Sequence, residues 1–330
     1  MKSVLITGIL GQDGSYLAEH LINKGYRVYG LHRRTSQLNT DRIKHILNKI
    51  ELVEGDVTDF ANIINIISRL SLDHVYNLAA QSHVASSFHQ PLYTTNATYL
   101  GCLNILESIR LVNPAIKFYQ ASSSEMFGKN FSCINNKKFQ DESTIFMPQS
   151  PYAIAKLAAH HAVRLYRDSY NIFACSGILF NHESPRRGEL FVTRKITDWI
   201  GRHKANLADA SPKLNLGNLS AYRDWGHAKD YTRAMIMILE HTNPDDYVVS
   251  TNETHSIKDF LDVAFDAAEL PAWQNYVKID QSLFRPAEVD YLCGKSDKIR
   301  KTLGWEPEYN FSSLVKEMVN YDIRKYTISS

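Results

Sequence analysis

Tyr152 and Lys156 stand four residues apart in Ser150-Pro-Tyr-Ala-Ile-Ala-Lys156, and the run Ser122-Ser-Ser-Glu125 precedes them. On a helix, positions i and i+4 share a face. The Lys156 ammonium is therefore expected beside the Tyr152 phenol, where an opposite charge favours the ionised oxygen. A tyrosinate is a strong base for a sugar or alcohol hydroxyl. Taken alone, Tyr-x-x-x-Lys is also what an amphipathic helix with a snorkelling lysine displays. The segments that must surround the pair decide between these readings.

At the amino terminus, Val4-Leu-Ile-Thr7 reads as a short apolar strand that runs directly into Gly8-Ile-Leu-Gly11-Gln12-Asp13-Gly14. From Ser15 to Lys24, Leu17, Leu21 and Ile22 recur at helical spacing. Gly25 is then expected as the C-terminal cap of that helix. Glycines between a strand and a helix permit a tight turn and close backbone approach, and leave the helix N-terminus for a pyrophosphate. Gly8, Gly11, Gln12, Asp13 and Gly14 are thus candidate dinucleotide contacts.

The next strand, Tyr26 to Leu31, ends in His32-Arg33-Arg34 with no carboxylate. An acidic residue there would bind the 2'-hydroxyl of NAD, whereas arginine accommodates the 2'-phosphate of NADP. Arg33 and Arg34 therefore favour NADP, against the plain alternative of two solvated loop arginines. Asp56 and Val57 close a third strand, with Asp56 placed to meet an adenine ring. After the fourth strand, His74 to Asn77, the residues Leu78, Ala79, Ala80, Gln81 and Ser82 form a segment that is mostly small and lets a backbone lie against the cofactor.

Stepping outward, strand signals near residues 4, 27, 51, 74, 117 and 174 alternate with helices, which predicts an α/β fold with a doubly wound, Rossmann-type parallel sheet. Lys129 to Met147 lacks periodicity and reads as an exposed loop. After Asn181 the rhythm changes: short strands at Lys213–Gly217 and Tyr247–Ser250 mix with helices near 191, 229, 257 and 312. We expect a cofactor domain over residues 1–180, rejoined by parts of 214–252, and a smaller mixed α/β domain, mainly 181–330, that binds substrate. The length of 330 residues suits such a pair. Hydrophobic residues at 44% and charged residues at 22% describe an ordinary globular chain, and a net charge of +2 offers no basic field for nucleic acid. Cys102, Cys133, Cys175 and Cys293 have no paired spacing and read as reduced thiols of a cytoplasmic protein. No apolar run approaches the roughly 20 residues that cross a bilayer, and the chain begins in a strand with no signal peptide ahead of it. None of the 13 histidines has metal-site spacing, and His160 and His161 are expected on different faces of one helix.

These residues carry a resemblance over nearly the whole chain. The Gly8/Gly11/Gly14 turn and Tyr152-x-x-x-Lys156 resemble the extended short-chain dehydrogenase/reductases. Longer stretches are similar to the GDP-mannose 4,6-dehydratase family: Ile6 to Tyr16, Asn77 to Val84, Gly177 to Gly188, Phe191 to Ile196 and Arg223 to Tyr231. The resemblance implies Ser123, Glu125, Tyr152 and Lys156 as the catalytic set. In the implied reaction Tyr152 takes the C4 hydroxyl proton as hydride passes to NADP, Glu125 removes the C5 proton and helps water leave C6, and hydride returns to C6. It further implies cofactor contacts at Tyr93, Lys156, His182 and Arg187. Nucleotide-sugar contacts are implied at Ser87, Ser123, Glu125, Tyr152, Asn181, Lys195, Arg223, Arg285 and Glu288. The cations among these suit a diphosphate, and Glu288 suits ribose hydroxyls. No metal is implied. The Arg33 to Ile43 loop is expected to reach a neighbouring subunit's cofactor in a homodimer or homotetramer. Serine at 123 and phenylalanine at 127 depart from the threonine and tyrosine usual in the family, which leaves the hydroxyl at 123 but loosens its positioning.

Three other readings fit parts of the pattern. One is the same dehydration on another GDP-sugar, such as a heptose or an amino sugar. Another is a C4 dehydrogenase or reductase, against which Glu125 argues, because simple redox needs no C5 base. The last is a non-enzymatic NADP-binding regulator, for which the intact Ser123/Glu125/Tyr152/Lys156 set is superfluous.

Overall fold

Short runs, most of them buried on both faces, build the centre of the molecule. In the computed structural model, which describes residues 1–206, 213–284 and 287–328, they form seven strands. These are β1 (Ser3–Thr7), β2 (Arg27–His32), β3 (Ile50–Glu54), β4 (His74–Asn77), β5 (Lys117–Ser123), β6 (Ala174–Leu179) and β7 (Asp246–Val249). They pair in the order β7-β6-β5-β4-β1-β2-β3, all parallel. Val4, Leu5 and Ile6 are all buried, as a strand covered on both faces requires.

The longer helices are α1 (Gln12–Asn23), α2 (Phe60–Arg69), α3 (Gly101–Val112), α4 (Pro151–Tyr170), α5 (Val192–Lys204), α6 (Ala228–Glu240), α7 (Ile257–Ala267) and α8 (Phe311–Thr327), and a short helix spans Val84–His89. Leu17 and Leu21 of α1 share one core with Met235 and Leu239 of α6. On the opposite face Ile63 and Ile66 of α2, Ile105 and Ile109 of α3 and Val163 of α4 fill a second. A separate core joins Ile196 and Trp199 of α5, Phe260 and Phe265 of α7 and Leu314 and Met318 of α8. Reversal of strand order between β1 and β4 opens a crevice at the carboxyl ends of the strands, the usual ligand position in such sheets.

Local chemistry sets where the site-bearing elements begin. Ser150 accepts a hydrogen bond from the Ala153 amide at 3.1 Å and Pro151 occupies the first helical position, so α4 starts one residue before Tyr152. Helix α1 starts at Gln12, three residues earlier than its apolar spacing predicts, because the end of the glycine turn winds into the first helical turn. It stops at Gly25, whose φ of +79° lies in the left-handed region.

The 129–147 segment is exposed along much of its length, as expected from sequence, but it is not a structureless loop. Ser132–Ile134 and Lys137–Phe139 form an antiparallel hairpin, with Asn135 and Asn136 at φ 49° and 61°, the left-handed pair that tight two-residue turns need. Gln140 is fully buried and bonds Cys293 in both directions, at 2.8 and 2.9 Å. The segment carries apolar residues without a period, so its packing against distant residues was invisible locally.

Candidate active site

The carboxyl end of β5 meets one face of α4. Ser123 accepts from the Glu125 amide at 3.2 Å and starts a single 3₁₀ turn, Ser124–Phe127, that buries Glu125. Across from it, burial pushes the Tyr152 phenol up to about 12; the Ser123 hydroxyl and Arg187 oppose that rise while the Glu125 charge adds to it. Lys156 lies over the Tyr152 ring while its ammonium is bonded to the backbone of β5. Its Nζ donates to the Ala121 carbonyl at 2.7 Å and lies 5.9 Å from the centre of the Tyr152 ring. An ammonium with only 4% exposure must find an acceptor, and that carbonyl supplies one. Burial brings Lys156 down to about 8. One further turn along, His160 Nδ1 lies 3.1 Å from the Ser122 hydroxyl. His160 is buried and His161 is exposed.

A buried polar chain supports this face from behind. Thr7 Oγ1 donates to Asn77 Oδ1 at 2.6 Å, Asn77 Nδ2 donates to Gln120 Oε1 at 2.7 Å, and Gln120 Nε2 reaches the Ala121 carbonyl at 3.2 Å. The same Thr7 oxygen accepts from the Leu78 and Ala79 amides, each at 3.1 Å. It thereby fixes the 78–82 segment against the glycine turn.

The turn itself fits a dinucleotide. Gly8 has φ +72° and its missing Cβ would lie 3.2 Å from the Leu78 and Ala79 backbone. A Cβ on Gly14 would meet the Gly8 carbonyl oxygen at 2.3 Å, so both positions require glycine. Gly11 caps α1 without a side-chain bond, leaving the first-turn amides for a ligand. Gln12 is buried, its amide donating to the His182 carbonyl at 3.1 Å. Asp13 Oδ2 lies 2.8 Å from His182 Nε2, and His182 Nδ1 lies 2.7 Å from the Phe180 carbonyl. Acceptors beside both ring nitrogens favour the protonated form of His182. Burial opposes both charges, but their mutual attraction outweighs it, lowering Asp13 and raising His182.

Further out, Arg33 donates to the Tyr93 hydroxyl at 2.5 Å, at an exposed site. Arg34 is exposed. Asp56 follows β3, where its Oδ1 accepts from the Thr58 amide and hydroxyl at 2.9 and 2.8 Å, and Val57 is buried.

A cleft of about 430 Å³ runs from Asp13 to the carboxyl-terminal third. Its lining includes Leu78, Ala80, Ser82, Ser123, Glu125, Tyr152, Lys156, Asn181, His182, Arg187, Lys195, Arg223 and Glu288. Ala79 and Gln81 lie in the same segment as Leu78 and Ala80 but outside that lining. Arg187 stacks its guanidinium 3.7 Å from the Phe191 ring centre and approaches Glu183 at 3.0 Å. Arg223 is 7% exposed and pairs with Glu288 at 3.3 Å. Arg285 lies outside the described residues. Ser87 is turned away: it is fully buried and donates to its own helix at Val84 O, 2.6 Å. Sequence reasoning did not single out His83, Phe88, Leu190 and Phe191, which also line the cleft. Phe88 lies in the six-residue helix Val84–His89 that His83 caps, and Phe191 caps α5; segments this short carry no period, and only the chemistry of His83 was a signal. Arg42 was missed too; its donation to Arg186 O at 2.8 Å and Leu10 O at 3.3 Å ties the 33–43 loop to the glycine turn of its own chain. Among the described residues no cluster of His, Cys, Asp and Glu could hold a metal, and no helix is long and apolar enough to cross a membrane.

The fold recurs in solved structures. A UDP-glucose 4-epimerase of Thermotoga maritima, solved with UDP-glucose, superposes with a TM-score of 0.85 at 22% identity, over 98% of this chain and 99% of that one. A dTDP-glucose 4,6-dehydratase of Bacillus anthracis, solved with NAD, gives 0.83 at 19% identity, over 97% and 96%. In sequence the chain is 51% identical over 334 residues to GDP-mannose 4,6 dehydratase 2 of Arabidopsis thaliana, covering 98% of this chain and 87% of that protein. The model of the family described as GDP-mannose 4,6 dehydratase matches residues 5–318, which spans the glycine turn, the Tyr152 face and the Arg223 wall together. On that match and that identity, the chain belongs to the GDP-mannose 4,6-dehydratase family.

Proposed function

We infer that the protein is an NADP-dependent GDP-mannose 4,6-dehydratase, which converts GDP-mannose into GDP-4-keto-6-deoxymannose and water. The observation that carries this reading is a buried carboxylate, Glu125, beside Tyr152 on one wall of the cleft. A C4 dehydrogenase or reductase has no use for a base at that position. Tyr152, with its partner Ser123, takes the proton of the C4 hydroxyl. NADP, held by the glycine turn and by Arg33 and Arg34, would supply reversible hydride acceptance between C4 and C6. Glu125 removes the proton at C5, acidified by the new C4 ketone, and delivers it to the departing C6 hydroxyl, which leaves as water. The proton held on Tyr152 balances the one C5 regains, so the sequence closes with no net redox change. Lys156 holds the floor of the site through Ala121.

Residues 1–180, rejoined by parts of 214–252, serve as the NADP domain; β7 and α6 pack with the sheet in support of this. Residues 181–330 mainly hold the nucleotide-sugar, with Asn181, Lys195, Arg223, Arg285 and Glu288 as contacts. Arg33 and Arg34, at a strand end that lacks a carboxylate, favour NADP over NAD. All four cysteines are free, which suits a cytoplasmic enzyme. Exposed Leu100 and Leu111 of the 96–112 helical stretch and exposed Ile154 and Leu165 of α4 recur every eleven residues, a three-turn spacing that aligns them on one face of each. That surface suits a homo-oligomer.

Incubating the protein with GDP-mannose and no added reductant tests the reading. Loss of one water by mass, without net NADPH, is the expected result. Glu125→Gln should keep cofactor binding and lose at least about a hundredfold in water elimination. Dehydration of a GDP-heptose or GDP-amino sugar in place of GDP-mannose would move the substrate and keep the mechanism.

A further inference from the structure

Asp224 is fully buried, and among the described residues no arginine or lysine side chain is bonded to its carboxylate. Its Oδ1 accepts from the Thr251 amide at 2.9 Å and the Thr251 hydroxyl at 2.7 Å. Its Oδ2 accepts from the Asn252 and Gly294 amides, both at 3.1 Å. A carboxylate held only by neutral donors is costly to bury. Burial pushes Asp224 up to about 7 against the pull of those four bonds.

The four bonds join three pieces of chain: the 222–227 segment, the end of β7 and the 291–294 segment. Backbone bonds from the Tyr222 amide to Asp290 O at 2.8 Å and from the Leu292 amide to Tyr222 O at 3.1 Å continue the same junction. Two cleft residues hang from it. Arg223, adjacent to Asp224, donates to Tyr222 O at 2.9 Å and to Glu288 at 3.3 Å, and Glu288 stands just before the 290–292 segment that Tyr222 grips. Arg223 and Glu288 thus come from two segments that Asp224 clamps together.

We propose that Asp224 is a positioning residue for nucleotide-sugar recognition, its carboxylate presetting the segments that present Arg223 and Glu288 to the substrate. This rests on the reading of that wall as the nucleotide-sugar site. Substrate entering a preset pair loses less freedom than substrate that must assemble it, so the role appears in substrate affinity and leaves the chemistry and the cofactor alone.

The test is Asp224→Asn, which offers one acceptor oxygen where two each took two donors. We expect KM for GDP-mannose to rise roughly tenfold, with kcat within about threefold and NADP affinity unchanged. Turnover of GDP-mannose by the wild type with an unchanged KM in a folded Asp224→Asn protein overturns the inference alone. A rise in KM accompanied by parallel losses of kcat and NADP affinity also overturns it, as general loosening. A wild type inert toward GDP-mannose removes the underlying reading and the inference with it. Should Asp224→Asn fail to fold, Thr251→Val deletes the hydroxyl that donates to Asp224, together with its bonds to the Glu253 backbone, and Thr251→Ser restores it. A KM raised roughly threefold by valine and returned by serine supports the role, and a valine variant equal to the wild type overturns it.

Discussion

Lys156 illustrates how one side chain is held against its own preference. Its ammonium is buried with the Ala121 carbonyl as acceptor, and burial lowers it from the ordinary lysine range to about 8. Between pH 8 and 10.5 the unfolded chain keeps a proton there that the folded chain has released, so the folded protein gains stability as pH rises through that window. Below pH 8 the full cost is present. Lys156→Met is therefore expected to stabilise the cofactor-free protein by about 1–3 kcal/mol at pH 7, a gain that shrinks toward pH 10.5, while dehydration falls at least about a hundredfold. Denaturant unfolding of both proteins at pH 7 and 10 checks the sign; a variant less stable than wild type at pH 7 would refute it.

At the scale of elements, two glycines separate function from cap chemistry. Gly14 lies in the first turn of α1, where a Cβ would strike the Gly8 carbonyl oxygen. Gly25 ends the same helix at positive φ with open space around it. Gly14→Ala should disturb the turn and weaken NADP binding more than about tenfold, since the 2.3 Å approach to backbone cannot be relieved by a rotamer. Gly25→Ala should cost about 1 kcal/mol of stability and leave NADP affinity within twofold. Cofactor titration by fluorescence beside thermal melts distinguishes them. Equal effects on binding would mean that α1 responds as a whole and that the turn has no special fit.

Across the whole molecule, the cleft wall depends on helix packing far from it. Arg194 of α5 pairs with Asp322 of α8, both buried, and its Nε donates to Arg187 O at 3.2 Å. The pair thus links the α5/α8 contact to the loop that carries Arg187 into the cleft. Asp322→Ala leaves the Arg194 charge buried and unpaired, for which a loss of about 3–5 kcal/mol is expected. Replacing both partners, as in Arg194→Met with Asp322→Leu, should recover most of it. Chemical denaturation of the single and double variants measures the difference, and a single variant as stable as wild type would show that solvent reaches Arg194.

What the chain determined by itself was local. The glycine turn, the Pro151 start of α4, the Tyr152 and Lys156 register and the strand and helix rhythm are all read within a few residues, because turn geometry and helical period act over that range. The resemblance extended this to the Ser123/Glu125 set and the Arg223 wall. Tertiary closure decided the rest. It gave the Lys156 ammonium the Ala121 carbonyl as its acceptor, because a buried ammonium needs a strong acceptor within reach and sequence does not show which that is. It set Asp13 against His182, 169 residues away, and turned Ser87 inward. It also folded 129–147 onto Cys293 and gathered three segments around Asp224. Apart from the Ser87 bond to Val84, these bonds join groups distant in sequence, and no periodicity or turn signal records which distant groups meet when the apolar faces are buried together.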